Sequence, residues 1–168
     1  SEDGFLSGVI GSLEVRGAAS KGLYATIKHF ALNDQENHRG DTEGQKSMAT
    51  WANEQAIREI YLKPFEMCTK IDDVQMSYLQ KDGDSYKTAT REVPACTAVM
   101  SAFNRIGATW TGGNYALLTS VLHNEWGFRG WIVTDSASSA GSYMDVSQMI
   151  EAGGVSKLAQ AENLAKWT

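Results

Sequence analysis

The sequence predicts an α/β fold in which parallel strands alternate with flanking helices. Short apolar runs recur at Tyr24 to Ala31, Thr97 to Phe103 and Trp131 to Thr134, each rich in β-branched or aromatic residues. Segments with helical apolar spacing lie before, between and after them. The resulting alternation of helix and strand is the order that parallel strands with crossover connections require. The runs lack clean apolar–polar alternation, as strands covered on both faces do.

The elements follow in order. Phe5 to Ala19 reads as a helix ahead of the first strand. Ser47 is a candidate N-cap for a helix running to about Leu62, with Trp51, Ile57, Ile60 and Tyr61 as its apolar stripe. Pro64 lacks a backbone N–H, so a kink or a restart is expected there. Residues 71–94, with the turn Asp82-Gly83-Asp84, break the rhythm and are expected as an insertion or small hairpin. Asn114 caps a further helix whose inner face is Leu117, Leu118, Val121 and Leu122, stopped near Gly127. Ser142 or Asp145 opens the last helix, which ends at Gly153-Gly154. Val155 to Thr168 carries no recognisable pattern.

The 168 residues suit a single domain spanning 1–168. Fifteen basic and 20 acidic residues give a net charge of -5, which argues against nucleic acid or an anionic membrane as partner. No apolar run approaches the roughly 20 residues of a membrane-spanning helix. The start Ser1-Glu2-Asp3-Gly4 does not resemble a signal peptide, and the compartment stays open. Cys68 and Cys96 match no metal or redox spacing and read as buried free thiols, with a disulfide left to an oxidising compartment. The histidines His29, His38 and His123 form no ligand pair at helical spacing, so no zinc site is expected. No Gly-x-Ser-x-Gly elbow or glycine-rich phosphate loop is present, and Gly112-Gly113 reads as a plain turn. No cofactor is expected.

Polar residues gather where the apolar strands run out. The first strand ends in Lys28-His29, the second in Phe103-Asn104-Arg105 and the third in Asp135-Ser136. In parallel α/β folds the carboxyl ends of the strands share one face and carry ligand sites. A Lys, a His and an Asp repeating that placement point to a site rather than to core packing.

Four co-linear segments then carry a resemblance. Lys28-His29-Phe30-Ala31-Leu32-Asn33-Asp34-Gln35-Glu36, followed by Arg39, resembles the lysine–histidine segment of family three glycoside hydrolases, the β-glucosidase group. Arg58 to Glu66 is similar to that family's next helix, and Val99 to Gly107 to its following strand and loop. Asn124 to Gly130, then Ile132-Val133-Thr134-Asp135, resembles its nucleophile segment.

The resemblance implies a partial β/α barrel of the TIM type and a chain that is a fragment of a larger enzyme. The implied activity is retaining hydrolysis of β-linked glucosides or related short glycosides. Asp135 would be the nucleophile, Lys28, His29 and Arg39 would bind sugar hydroxyls, and Met100 and Phe103 would lie near the sugar. Partners would be a carbohydrate substrate and the remaining barrel strands and acid/base domain of the parent enzyme, or a second copy by self-association. A loop histidine and aspartate serve as acid/base in one subgroup; His38 and Asp41 lie on that loop, although Asn33 to Glu36 is the glucosidase-like version. Ser136, Phe103 and Val155 depart from the aromatic, tyrosine and aspartate usual at those positions. The absent acid/base, together with Ser136 and Val155, motivates the alternative of a non-catalytic sugar-binding or interaction remnant. Adjacent strand residues point to opposite faces. If Lys28 and His29 both reach one sugar, a strained or cis peptide is therefore expected within Lys28 to Phe30.

Overall fold

The structure is a computed structural model that describes residues 2–35, 37, 39, 41, 42, 45–136 and 143–158. In chain order come α1 (Gly4–Ser20), β1 (Thr26–Phe30), the short strands β2 (Asp41–Thr42), β3 (Gln45–Lys46) and β4 (Ala49–Thr50), and α2 (Glu54–Ala56). A π-type segment (Ile57–Tyr61) leads into α3 (Lys63–Thr69). The hairpin strands β5 (Val74–Asp82) and β6 (Ser85–Val93) follow, then β7 (Ala98–Ser101), β8 (Arg105–Ile106) and β9 (Thr109–Trp110). A second π-type helix (Ala116–Glu125), β10 (Trp131–Ser136), α4 (Val146–Glu151) and β11 (Ser156–Leu158) complete the described order.

The central sheet is β1-β7-β10-β11, and all its neighbours pair in parallel. Helical segments connect each consecutive pair, as parallel strands require. The fourth strand comes from Ser156 to Leu158, inside the stretch where the sequence showed no pattern. Three residues are too few to display a period of two, and only pairing with Val133 and Ser136 makes them a strand.

Among the described residues one face of this sheet is covered and the other only partly, which corrects the expectation of strands buried on both faces. Ile27, Val99 and Ile132 share one register and join the core with Val15, Phe30, Leu62, Leu118, Leu122 and Phe128. The residues beside them alternate outward: Thr26 and Lys28 are exposed and Trp131 is 57% exposed. Apolar residues were therefore a poor guide to covering, because Trp131 keeps its polar edge occupied by donating from Nε1 to Ser156 Oγ at 2.7 Å.

Local signals explain the helices. The Asp3 side chain accepts from the Leu6 N–H at 2.9 Å and opens α1. Gly8 and Gly11 of α1 let α3 come close, at Met67 and Cys68. Asn114 accepts from the Leu117 N–H at 3.1 Å, and Leu117, Leu118, Val121 and Leu122 are all buried. Gly127 then takes φ +72, the left-handed turn that ends a helix at low cost for glycine. Asp145, not Ser142, is the observed cap of α4, accepting from the Gln148 N–H at 2.8 Å; Ser142 lies outside the described residues.

The helix expected from Ser47 starts later. Ala49 and Thr50 are drawn into pairing with Arg105 and Ile106, so the chain is extended there. Asn53 caps instead, accepting from the Ala56 N–H at 2.8 Å. Trp51 is consequently 78% exposed and Ile60 44% exposed, while Ile57 and Tyr61 do pack on the core. Pro64 sits in the first turn of α3, where its missing N–H costs nothing. Arg58 reaches Glu54 at 2.9 Å and Glu125 at 2.7 and 3.0 Å, tying this region to the Ala116–Glu125 helix. The Glu125 carboxyl is held below its usual range by the Arg58 hydrogen bonds.

Residues 71–94 contain β5 and β6, antiparallel from Val74↔Val93 to Asp82↔Ser85, with Gly83 at φ +64 in the turn. The hairpin enters the core at its base, where Val74 and Met76 are buried and Val93 packs against the cluster.

Two glycines separate steric from entropic effects. A Cβ at Gly130 would press into the Thr97 carbonyl oxygen and the Phe128 ring, whereas one at Gly17 meets nothing within 4 Å. Gly130→Ala is expected to destabilise by about 1–3 kcal/mol through overpacking. Gly17→Ala, inside α1, is expected to stabilise by roughly 0.5–1 kcal/mol. Urea denaturation of both variants checks the opposite signs.

Candidate active site

The carboxyl ends of β1, β7 and β10 lie side by side, since β7 pairs with both neighbours. At the end of β1 the ladder to β7 shifts register between Ile27 and Phe30. The Lys28–His29 and Phe30–Ala31 peptide bonds are cis, so the irregular backbone expected within Lys28 to Phe30 is present. Leu32, which follows, is buried at φ +61, a conformation rare for a side-chain-bearing residue. Asn104 braces this turn from the β7 side, donating from Nδ2 to the Ala31 carbonyl at 3.1 Å while fully buried.

His29 and Asp135 meet across the strand ends. His29 Nε2 stands 3.4 Å from Asp135 Oδ2. The carboxyl group is nearly buried, with 8% of the residue exposed. Its Oδ1 accepts from the Ser136 N–H at 2.6 Å. Its Oδ2 is buried and takes no hydrogen bond among the described residues, since 3.4 Å to His29 lies outside good geometry. Leaving a buried acceptor in that condition costs about 1–3 kcal/mol, a cost that a ligand hydroxyl or a bond-forming carbon would relieve. The Thr134 hydroxyl holds the backbone of the residue in place. Thr134 Oγ1 donates to the Asp135 carbonyl at 2.7 Å and accepts from the Leu158 N–H at 3.0 Å.

A second cluster forms around Phe103. The Arg39 guanidinium lies 4.9 Å from the centre of the Phe103 ring. The Phe103 carbonyl accepts from Ser47 Oγ at 2.6 Å and from the Tyr143 hydroxyl at 2.9 Å. Tyr143 packs edge-on to Trp110, at 6.4 Å between ring centres, and carries the Arg105 guanidinium at 5.3 Å on its own ring. Met144 and Met149 complete this smaller apolar cluster.

The structure thus joins His29 with Asp135 and Arg39 with Phe103. Lys28 is exposed beside His29, and Met100 is half-buried on β7 opposite Val133 of β10. His38 lies outside the described residues, and Asp41 is described in backbone only, within β2. Ser47, Asn104 and Tyr143 were not picked out as site residues from sequence; Asn104 carried the weak signal of a polar residue at a strand end, the other two none. Lys157 on β11 donates to the Met144 carbonyl at 3.3 Å, and burial lowers its ammonium pKa against the opposing effect of Asp145.

Other chemistry is not assembled among the described residues. Cys68 and Cys96 are free and buried, and burial pushes the Cys96 thiol up to about 12, away from thiolate chemistry. No group of three or more His, Cys, Asp or Glu residues is placed to hold a metal ion, and no helix is long and apolar enough to cross a membrane, among the described residues. A groove lined by Phe5, Arg58, Glu66 and Trp126 lies on the helical side, with Arg58 and Glu66 already in ion pairs.

Residues 1–159 match the Glycosyl hydrolase family 3 N terminal domain. The chain is 34% identical over 135 residues to a β-glucosidase of Ruminococcus albus and 35% identical to one of Rhizobium radiobacter. Those matches cover 80% of this chain but only 11% and 13% of the relatives. The structure of β-glucosidase 3B from Thermotoga neapolitana in complex with glucose superposes on 97% of this chain and 18% of that one, with TM-score 0.72 and 31% identity. A Kluyveromyces marxianus β-glucosidase in complex with glucose gives TM-score 0.73 at 26% identity, over 99% of this chain and 17% of its own. The chain therefore spans a small part of the relatives it matches.

Proposed function

The chain belongs to glycosyl hydrolase family 3, with the α/β fold of a partial TIM-like barrel, and from that premise we propose that it carries the nucleophile and part of the sugar site of a retaining β-glucosidase. The observation that supports this most is the nearly buried Asp135 with its Oδ2 left without a hydrogen bond, next to His29, at the carboxyl edge of a parallel sheet.

The chemistry then runs in two displacements. Asp135 Oδ2 attacks the anomeric carbon, the bond from that carbon to the leaving oxygen breaks, and the leaving oxygen takes a proton from a general acid. Water next attacks the anomeric carbon of the glycosyl-enzyme, the ester bond to Asp135 breaks, and the water's proton passes to the same acid/base group. A second carboxyl group about 5 Å away is the usual donor in retaining enzymes. We assign that role to a group outside the cluster of His29, Asp135, Arg39 and Phe103. The acid/base belongs with a further domain of the parent enzyme, while further barrel strands would pair with the edge strands β1 and β11.

His29 is suited to a dual task, because one ring nitrogen faces Asp135 while the ring remains half-buried at the strand ends. Lys28 and Arg39 supply donors for sugar hydroxyls, Arg39 as a planar fork that matches paired oxygens. Met100 and Phe103 supply apolar surface for the ring of the sugar. A β-linked glucoside is the substrate class.

A dinitrophenyl 2-deoxy-2-fluoro-β-glucoside tests the assignment. Its good leaving group reduces the need for proton donation, and the fluorine slows release of the covalent intermediate. One sugar attached to the peptide containing Asp135, found by mass spectrometry, is the expected result. An adduct on another residue would exclude Asp135 as nucleophile; sugar binding with no adduct over long incubation would favour a non-catalytic role.

A further inference from the structure

We infer that Tyr143 and Ser47 are positioning residues that pin Phe103 as a platform for the Arg39 guanidinium, and thereby set how tightly a sugar is held beside Asp135. The inference rests on the sugar-binding role proposed above for Arg39.

Phe103 needs outside support. The β7 ladder ends at Ser101, so Phe103 lies beyond the regular pairing that fixes its predecessors. Its carbonyl is engaged by two hydroxyls from separate parts of the chain, Ser47 at 2.6 Å and Tyr143 at 2.9 Å. A carbonyl oxygen has two lone-pair directions, and both are used. The two bonds fix the peptide, packing against the cluster of Trp110, Met144 and Met149 limits the ring's rotation, and Arg39 rests at 4.9 Å from its centre. Arg39 is a long side chain that a fixed aromatic surface can order through cation–π contact.

Both hydroxyls are themselves held. Tyr143 is wedged against Trp110, which is 1% exposed and anchored by donating from Nε1 to the Ala102 carbonyl at 3.0 Å. Ser47 sits at φ +72, an uncommon conformation for a residue with a Cβ. The next residue ties the same segment down, since the Arg105 N–H donates to the Met48 carbonyl at 2.7 Å. Such backbone outliers persist where surrounding contacts over-determine them, and they cluster at functional sites. The platform is thus built from three elements that approach one another only in the folded chain.

The experiment uses the full chain with nitrogen-15 labelling. The Arg39 Nε–Hε resonance is expected to be displaced by the ring current of Phe103, and Phe103→Leu identifies that displacement. Tyr143→Phe keeps the ring and removes the hydroxyl; Ser47→Gly removes the other hydroxyl while accepting the positive φ. Each should move the Arg39 resonance toward that of Phe103→Leu and leave most backbone amides in place. Titration with D-glucose should show binding weakened about three- to tenfold by Tyr143→Phe, the range of one lost hydrogen bond. On an Arg39→Ala background the same change should cause no further loss. An Arg39 resonance unmoved by either hydroxyl variant would overturn the inference, as would an undiminished loss on the Arg39→Ala background. Absence of glucose binding by the unaltered chain would reject the sugar role of Arg39, while its resonance would still decide whether the hydroxyls position it.

Discussion

Asp135→Asn is expected to reduce turnover of an activated aryl β-glucoside by about 10⁴-fold or more, the scale on which removal of a catalytic group acts. The substitution conserves shape. The amide oxygen can still accept from the Ser136 N–H, which now meets Oδ1 at 2.6 Å. What disappears is the negative charge and Oδ2, the oxygen proposed as nucleophile, which no described residue hydrogen-bonds. Stability should not fall, because a nearly buried, incompletely solvated carboxylate becomes a neutral group. A urea midpoint equal to or above that of the unaltered chain, together with lost adduct formation, is the expected pair of results. Turnover retained within tenfold would remove Asp135 from the role of nucleophile. A lowered midpoint would instead indicate that the charge serves the fold.

Phe30→Ala is expected to cost about 3–5 kcal/mol, the range for removing a large aromatic side chain from a packed core. Phe30 is fully buried, stands 5.0 Å from Phe65 in an edge-on arrangement and 5.9 Å from Trp126. It therefore joins β1 to α3 and to the end of the Ala116–Glu125 helix. Its carbonyl also accepts from the Ala102 N–H at 2.8 Å, at the point where β7 leaves the ladder. Because His29 precedes it directly, the cavity should loosen the histidine as well as the core. Chemical denaturation gives the stability loss, and Phe30→Leu should recover most of it. Leu79→Ala, at a hairpin position that is 71% exposed, should change the midpoint little and serves as the comparison. A loss below about 1 kcal/mol for Phe30→Ala would mean that Phe30 does not join those layers.

Local signals were read well where the physics is local. Asn114 and Asp145 each bond an N–H three residues on, so a capping residue ahead of an apolar stripe suffices to place the start of a helix. The reading from Ser47 failed because a strand pairing with Arg105 and Ile106, far along the chain, claimed Ala49 and Thr50 first. Short-range preferences cannot register such a competitor. In the same way Trp131 looked like a buried strand residue, yet its exposure depends on whether anything covers that side of the sheet.

By itself the sequence determined the alternation of helices and strands, the inner face of the Ala116–Glu125 helix, and the placement of Lys28, His29 and Asp135 towards the carboxyl ends of their strands, because these depend on periods of two and 3.6 and on hydrogen bonds within a few residues. The tertiary structure alone decided that β11 joins the sheet, that one sheet face is only partly covered among the described residues, and that Ser47 and Tyr143, 56 and 40 residues from Phe103, converge on its carbonyl. Those outcomes are set by which segments pack together, a free-energy balance over the whole chain that no short window of residues contains.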